Sequence, residues 1–259
     1  MFIAITREVC ARITECELTH LAREPINLER ARAQHHQYEE LLAELGCKLI
    51  RLPAEQELPD SVFVEDAALV LDEIAVITRP GAVSRRAETA SIAAALMPYR
   101  KLVYIETPGT LDGGDVLRVN KTLYVGLSAR SNPEGIEQLR RILAAFGYSV
   151  TAVELHDCLH LKSAVTQVAD SMLLINRAWL DARVFVSWKL IEVDPSEPFA
   201  ANSLLIGNTV IYPEAFPKTR KRLEAKGIKV RTVDASELAK AEGGVTCCSL
   251  IFSEASSSA

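Results

Sequence analysis

Five polar residues recur along this chain at intervals of 42 to 48 residues, each directly before an apolar hairpin pattern. They are Asp66, Asp112, His160, Asn202 and Cys247. A period of this length is typical of a repeated supersecondary unit. A thiol, an imidazole and two carboxylates supply a nucleophile with acid–base partners, the set that covalent catalysis uses. If the repeats close into a ring, equivalent positions converge on its axis, and we expect one site built from residues far apart in sequence.

The second repeat shows the repeated unit most clearly. Residues 114–125 alternate around an Asn120-Lys121 turn, which predicts a hairpin. A helical pattern opens at Pro133 and stops before Gly147, and the apolar residues 148–153 predict a strand. The first and fourth repeats have the same order of strand, strand, helix and strand. The third repeat follows it weakly, because its predicted helix, around residues 178–188, is poorly patterned.

The two chain ends together supply the fifth unit. The N-terminal part predicts a strand over 2–6, a helix over 28–45 with Asn27 as its N-cap, and a strand over 47–52. The C-terminal part predicts one strand, over 248–252. Pairing of the two terminal strands closes the ring and leaves no open edge there.

Composition and charge narrow the class of protein. We predict an α/β fold with a single domain, residues 1–252, and a polar tail, residues 253–259. The net charge of −5 and the pI near 5.7 disfavour nucleic acid or an anionic membrane surface as the main partner. No apolar run approaches the roughly 20 residues of a membrane span, and the N-terminus lacks a secretory-signal pattern. Six irregularly spaced cysteines indicate free thiols and a cytoplasmic protein.

Cys247 is the predicted nucleophile and His160 the predicted acid–base group. Taken alone, a cysteine beside Cys248 and a histidine between two leucines are better explained as buried packing residues. Their place in the period favours catalysis instead. Because successive strand residues point to opposite faces, we predict that Cys247 faces the axis and Cys248 the core.

The other cysteines and histidines lack this support. We expect packing or incidental thiols at Cys10, Cys16, Cys47 and Cys158, and solvated rings at His20, His35, His36 and His156. The sequence has no C-x-x-C motif, so neither a dedicated metal site nor a cofactor is predicted. An activated thiolate could still take up adventitious zinc.

Carboxylates and arginines complete the chemical signal. The carboxylates that precede the first two hairpins are Asp60, Glu65, Asp66 and Asp112. Carboxylates that face a site can hold a planar guanidinium by paired hydrogen bonds, and such a cation lowers the pKa of a nearby thiol. Arginines are candidates for binding the carboxylate of a substrate, namely Arg85, Arg86 and Arg130. Asp115 is instead expected to stabilise a turn. The combination suggests an amino acid that carries a guanidinium.

At these residues the chain resembles the dimethylarginine dimethylaminohydrolase family of the guanidine-modifying pentein superfamily. The resemblance extends from Leu18 to Phe252, and its strongest segments are LPDSVFVEDAAL, ITRPGAVSRRAET, TPGTLDGGDVL, VGLSARSN, LHLKS, AANS and GGVTCCSL. It implies a five-bladed ββαβ propeller. It also implies hydrolysis of asymmetric dimethylarginine or monomethylarginine to citrulline and a methylamine, through a covalent cysteine adduct and without a cofactor. The implied partner is this small-molecule substrate, and self-association is left open.

The resemblance assigns a role to each matching position. Cys247 matches the nucleophile and His160 the general acid–base group. The remaining matches are Asp66 and Asp112 around the guanidinium, Asp60 and Glu65 elsewhere in the site, Arg85 and Arg130 on the substrate α-carboxylate, and the backbone carbonyls of Leu18 and Ala241 on the α-amino group. Glu242 stands where relatives often have aspartate.

Two rival functions stay open. Other guanidine-modifying enzymes, above all arginine deiminases, are similar in fold, but deiminases carry an acidic residue two positions after the histidine, where this chain has Lys162. Without that carboxylate, one guanidinium nitrogen has one hydrogen-bond acceptor fewer. This suits a nitrogen that carries methyl groups instead of hydrogens. The rival of another class is a catalytically silent propeller that binds a partner. Such a module has no need of Cys247 and His160 at equivalent positions.

Overall fold

The computed structural model describes residues 1–254, so residues 255–259 of the predicted tail lie outside the described residues. The strands are β1 (Phe2–Arg7), β2 (Cys47–Leu52), β3 (Ala68–Val70), β4 (Ile74–Ile77), β5 (Lys101–Tyr104), β6 (Val116–Val119), β7 (Thr122–Leu127), β8 (Ser149–Glu154), β9 (Val165–Ala169), β10 (Met172–Ile175), β11 (Lys189–Glu192), β12 (Leu204–Ile206), β13 (Thr209–Pro213), β14 (Lys229–Val233) and β15 (Leu250–Ser253). The α-helices are α1 (Leu28–Glu44), α2 (Thr89–Leu96), α3 (Pro133–Ala144), α4 (Leu161–Ala164), α5 (Pro217–Glu224) and α6 (Ser236–Ala239). None of these helices has the length and apolar character needed to cross a membrane.

The strands form five three-stranded sheets with one shared pattern. Their orders are β15-β1-β2, β3-β4-β5, β6-β7-β8, β9-β10-β11 and β12-β13-β14. In each sheet the first pair is antiparallel and the second pair is parallel. A parallel pair needs a crossover connection, and a helical segment lies in each of these connections. The predicted five-fold repeat of α/β units is therefore confirmed.

The two ends of the chain share one sheet, as the sequence predicts. Ile3 pairs with Phe252 and Ala4 with Ile251, so the C-terminal strand β15 takes the position that the first hairpin strand has in the other sheets. Ser253, predicted to begin the tail, is still part of β15 and pairs with Phe2.

Local signals explain where the longer helices begin and end. The Asn27 side chain accepts a hydrogen bond from the Arg30 N–H at 3.0 Å, and α1 stops just before Gly46, whose positive φ of 87° suits glycine. Asn132 caps α3 in the same way, by accepting from the Gly135 N–H at 2.8 Å. The third repeat differs from the sequence prediction, because it has only a short 3₁₀ helix, Ala182–Phe185. There the Asp181 side chain bonds the Arg183 N–H, a local turn that competes with an α-helix.

The first strands of the five sheets share one cavity of about 300 Å³. Residues of β15, β3, β6, β9 and β12 all line it. We call it the axial cavity. The repeated polar residue lies within five residues before each of these strands, so the five repeated residues occupy equivalent places beside the shared cavity.

Candidate active site

Four of the five repeated residues meet as the sequence predicts. His160 Nε2 lies 3.1 Å from Asp112 Oδ2 and 4.0 Å from Asp66 Oδ1. Asp66, His160 and Cys247 line one small cavity of about 20 Å³, which we call the polar cavity. Asn202 stands behind Cys247, where its amide bonds the Lys162 carbonyl and the Thr246 hydroxyl, each at 3.0 Å.

Short turns hold these side chains in place. Asp66 belongs to a 3₁₀ helix, Val64–Ala67, and its backbone carbonyl accepts the Thr78 hydroxyl at 2.6 Å. The Asp112 N–H donates to Ser131 Oγ at 3.0 Å. Gly114 must be glycine, because a Cβ there would lie 2.6 Å from His160 Nδ1 and 2.8 Å from Asp66 Oδ1. Its N–H instead donates to Asp66 Oδ1 at 2.9 Å.

The charges of this cluster favour a protonated imidazole. Burial alone would lower the pKa of His160, but the Asp66 charge, the hydrogen bond with Asp112 and the Asp115 charge together raise it to about 9. Burial opposes ionisation of Asp66, yet the charges of His160 and Arg85 outweigh it and lower the pKa of that carboxyl. At neutral pH the site therefore holds an imidazolium between carboxylates.

Asp66, Asp112 and His160 also form a group with the spacing of a metal site, since their ligand atoms lie within 4.8 Å of one another. Each carboxylate oxygen, however, already accepts a protein donor. Asp66 bonds Gly114 N–H and Arg85, and Asp112 bonds Gly81 N–H and His160. His156 is four residues before His160 but is exposed, so it does not join the cluster. All four oxygens of these two carboxylates therefore already have protein donors.

Cys247 lies on a turn, three residues before the strand that was predicted to start directly after it. Its N–H donates to the Gly244 carbonyl at 3.2 Å, and strand β15 begins only at Leu250. The Gly244 N–H in turn donates to Cys247 Sγ at 3.2 Å. Burial, with the charges of Glu65 and Asp66, raises the pKa of this thiol to about 12. Cys248 is buried in the core, as expected.

Glu65 is next to Asp66 in sequence, but its hydrogen-bond partners lie outside the polar cavity. Its Oε1 accepts Lys162 Nζ at 2.5 Å and its Oε2 accepts the Thr246 hydroxyl at 2.7 Å. Both Glu65 and Lys162 line the axial cavity and neither lines the polar cavity. The ion pair therefore separates the two cavities and fixes Thr246 beside Cys247.

The two predicted arginines have different surroundings. Arg85 is 4% exposed and donates to Asp66 at 2.6 Å, to both oxygens of Glu88, and to the backbone carbonyls of Asp60 and Phe63. Arg130 also lines the polar cavity, but its contacts are fewer, with Thr19 Oγ1 at 3.0 Å and Asp112 at 3.9 Å. More of the Arg130 guanidinium is consequently available to a ligand.

Of the remaining predicted residues, Asp60 and Ala241 line the polar cavity and Leu18 does not. Asp60 lines it and accepts the Glu17 N–H at 3.1 Å, and burial raises the pKa of this carboxyl. Ala241 and Glu17 also line it. Leu18 does not, because its side chain packs against the core cluster around α1.

Three residues at the site have functions that sequence reasoning missed. Asp115, expected to serve only a turn, is fully buried and accepts both the Ser128 and Ser131 hydroxyls and the Leu161 N–H, which anchors the residue after His160. Glu88 holds Arg85, three residues earlier, and its i,i+3 spacing was the available signal. Glu242 has a left-handed φ of 59°, and its carboxylate accepts the N–H groups of Thr19, His20 and Leu21 at 2.5 to 3.1 Å.

Glu242 therefore holds a loop, residues 17–21, of which Glu17 lines the polar cavity.

Among the histidines predicted to be solvated, His20, His36 and His156 are exposed, but His35 is buried. His35 lies on the inner face of α1, where its ring packs 6.1 Å from that of Tyr38. The other four predicted packing thiols are all buried.

Comparison with known proteins agrees with this architecture. A family model described as N,N dimethylarginine dimethylhydrolase, eukaryotic, matches residues 6–252. The N(G),N(G)-dimethylarginine dimethylaminohydrolase of Streptomyces coelicolor is 38% identical over 252 residues, 97% of either chain. A structure of the Pseudomonas aeruginosa enzyme, a cysteine-to-serine mutant complexed with citrulline, superposes with a TM-score of 0.93 at 35% identity and covers 97% of this chain and all of that one. A histidine-to-glycine dimethylarginine dimethylaminohydrolase with an S-methyl-L-thiocitrulline adduct superposes with a TM-score of 0.92 at 36% identity, with the same coverage.

Proposed function

Since the chain belongs to the dimethylarginine dimethylaminohydrolase family, we propose that it hydrolyses Nω-methylated arginine to citrulline and a methylamine. The observation that carries this proposal is the buried imidazolium of His160, held by Asp66 and Asp112 in the same cavity as Cys247. A nucleophile, a protonated acid and fixed carboxylates are the groups that cleavage of a guanidinium C–N bond requires.

Substrate recognition divides between two sets of groups in and around the polar cavity. Asp66 and Asp112 face the guanidinium, and Arg130 with Arg85 faces the α-carboxylate. Asp60 and the carbonyls of Ala241 and Leu18 are the proposed partners of the α-amino group, and Glu65 supports the site through Thr246. The cationic substrate also favours ionisation of the Cys247 thiol. Burial, followed by the charges of Glu65 and Asp66, keeps the pKa of Cys247 high. A guanidinium beside the thiol offsets those charges, so substrate binding favours the thiolate.

The reaction then proceeds in two halves. Cys247 Sγ attacks the central guanidinium carbon, and the C–N bond to the methylated nitrogen breaks as His160 gives that nitrogen a proton. His160, now neutral, takes a proton from water as the water oxygen attacks the adduct carbon. The C–S bond breaks, and citrulline leaves with Cys247 restored. The complexes with citrulline and with S-methyl-L-thiocitrulline in the two related structures support this sequence of steps.

The architecture we propose for this activity is a closed five-bladed ββαβ propeller formed by one domain, residues 1–252. The pairing of β1 with β15 and the shared lining of the axial cavity support it. We also propose a cytoplasmic location, which the six free cysteines support. No cofactor takes part in the proposed steps.

Product analysis separates this function from its rivals. Dimethylarginine, monomethylarginine and arginine are supplied side by side, and citrulline, dimethylamine, methylamine and ammonia are measured. We expect citrulline with the matching methylamine from the first two substrates. Turnover of arginine alone, with release of ammonia, would identify a deiminase. No product, together with no stoichiometric labelling by a chloroacetamidine, would identify a silent binding module.

The mechanism has a separate test in His160→Gly. This variant loses the base that activates water, whereas attack by the Cys247 thiolate remains possible when the leaving group needs no acid. Mixing with S-methyl-L-thiocitrulline should therefore leave an adduct mass on the peptide that contains Cys247. Normal turnover by the variant, or an adduct on Cys158, would contradict the assigned roles.

A further inference from the structure

A second cavity, larger and mostly apolar, lies beyond Cys247. Its volume is about 260 Å³, and its apolar walls come from Leu21, Trp179, Phe199, Pro213 and Phe216. The rings of Trp179 and Phe199 lie 5.2 Å apart, centre to centre. We call it the apolar cavity. None of its aromatic residues has a part in the reaction as proposed above.

The two cavities meet at the nucleophile. Leu159, Glu242, Gly243 and Cys247 line both of them, so the apolar cavity adjoins the polar cavity there. Ser163, three residues after His160, and Asn202 also line the apolar cavity. The apolar cavity therefore begins beside the nucleophile, and neither Asp66 nor Asp112 lines it.

The geometry of a guanidinium decides which part of a substrate points there. Of its three nitrogens, one continues into the amino-acid chain, toward Arg130 and Ala241. A second faces the carboxylates of Asp66 and Asp112. The third, the leaving nitrogen, must lie within reach of His160 to take its proton, and Leu159, the residue before His160, lines both cavities. That third nitrogen carries the substituents that leave as the amine.

We propose that the apolar cavity is a subsite for the substituent on the leaving nitrogen, and that it accepts alkyl and arylalkyl groups larger than methyl. This inference rests on the proposed function, because it places the same guanidinium in the same polar cavity. A methyl group fills only a small part of about 260 Å³, whereas a propyl or benzyl group can bury its surface against Trp179 and Phe216.

The chemistry is unchanged by a larger substituent. The C–S bond forms at the guanidinium carbon, the C–N bond to the substituted nitrogen breaks, and His160 supplies the proton that makes the amine neutral when it departs. The amine then takes a proton from solvent and becomes an alkylammonium ion. Asp157, an exposed carboxylate in the lining of the apolar cavity, gives that cation a favourable route to solvent.

The test compares three substrates in three proteins. Nω-methyl-, Nω-propyl- and Nω-benzyl-L-arginine are supplied to the wild type, and citrulline and the released amine are both quantified to give kcat/KM. Ala239→Trp puts an indole into the cavity from the last residue of α6. Ala144→Trp is the matched control, since Ala144 is the exposed last residue of α3 and does not line the cavity.

We expect the wild type to cleave the propyl and benzyl substrates with kcat/KM within about tenfold of the methyl substrate. Ala239→Trp should lower the benzyl-to-methyl ratio of kcat/KM by about 10- to 200-fold, and Ala144→Trp should leave it unchanged. Cleavage of methylarginine with no cleavage of the larger substrates would overturn this inference and leave the proposed function standing. An equal loss on all substrates in Ala239→Trp would also overturn it. Failure to cleave methylarginine at all would overturn both.

Discussion

The two sides of the polar cavity are built in different ways. On one side Asp66, Asp112 and His160 are at most 5% exposed, and every oxygen of the two carboxylates is hydrogen-bonded. On the other side the loop of residues 17–21 is mostly exposed, and one carboxylate, Glu242, holds three of its N–H groups. The proposed catalytic groups are fixed by buried contacts, while the loop beside the polar cavity depends on a contact at the surface.

The difference has an energetic meaning. A preorganised charged site lowers a barrier because its dipoles need no rearrangement during the reaction. The loop is instead mostly exposed, and segments with few buried contacts open at a lower free-energy cost than the core. We therefore expect changes on the buried side to affect rate and folding strongly, and changes on the loop side to affect substrate binding modestly.

The largest expected effect is on the buried side, at Cys247. Cys247→Ser replaces a thiolate by an alcohol of much higher pKa, and we expect the release of citrulline to fall by about 10³-fold or more with little change in the unfolding midpoint. Cys248→Ser is the matched control, since that neighbouring thiol is buried in the core and lines neither the polar nor the apolar cavity. It should lose stability and keep turnover. Loss of turnover only in Cys248→Ser would exchange the roles of the two thiols.

A titration tests whether the imidazolium of His160 is a built-in part of the folded state. Its pKa is raised from 6.5 to about 9, so its stabilising contribution is fully present below pH 6.5 and is lost as the pH rises through 9. From that shift, the free energy of unfolding of wild type relative to His160→Gln should fall by on the order of 3 kcal/mol across this window. Denaturant unfolding at pH 6, 7.5 and 9.5 measures it. Parallel curves for the two proteins would show that the folded state does not hold the extra proton.

The residues that meet on the buried side were predictable from the sequence. Asp66, Asp112, His160 and Cys247 stand out because the repeat places a reactive residue type at each equivalent position, and a closed arrangement of repeats brings equivalent positions together. The repeat also yielded the pairing of the chain ends. The period contains no information about contacts between different repeats, and for that reason the bonds of Asp115 to Ser128 and Ser131, or of Glu65 to Lys162, could not be predicted.

The loop side was found less completely for a related reason. The loop of residues 17–21 belongs to no repeat, and its anchor Glu242 follows it by more than 200 residues. A positive φ at a glutamate leaves no clear sequence signal, because glutamate is not a residue that favours that conformation. Only the structure brings the loop and Glu242 together.

Both arginines line the polar cavity, but their removal should affect different quantities. Arg130→Ala should raise KM by about 10- to 150-fold, which corresponds to a charge-assisted contact of about 1.5–3 kcal/mol, with a nearly normal unfolding midpoint. Arg85→Ala should in addition lower the free energy of unfolding, by about 3–5 kcal/mol, because it leaves the buried carboxylates of Asp66 and Glu88 without their partner. Steady-state kinetics and denaturant unfolding on both variants measure the split. An unchanged KM in both would remove the arginines from the carboxylate clamp.

The smallest expected effect is on the loop side, at Glu242. Because its φ of 59° lies in the left-handed region, Glu242→Gly removes the carboxylate without adding backbone strain. The N–H groups of Thr19, His20 and Leu21 then lose their acceptor, and their hydrogen exchange should become faster. KM should rise by about two- to tenfold, the equivalent of an exposed hydrogen bond, while kcat stays close to that of the wild type. Glu224→Gly, at an exposed glutamate that pairs with Arg220 on α5, is the control for a surface charge remote from the loop. If exchange at residues 19–21 stays slow in Glu242→Gly, the loop is held by its own packing, and the contrast between a fixed chemical side and an adjustable covering side is wrong.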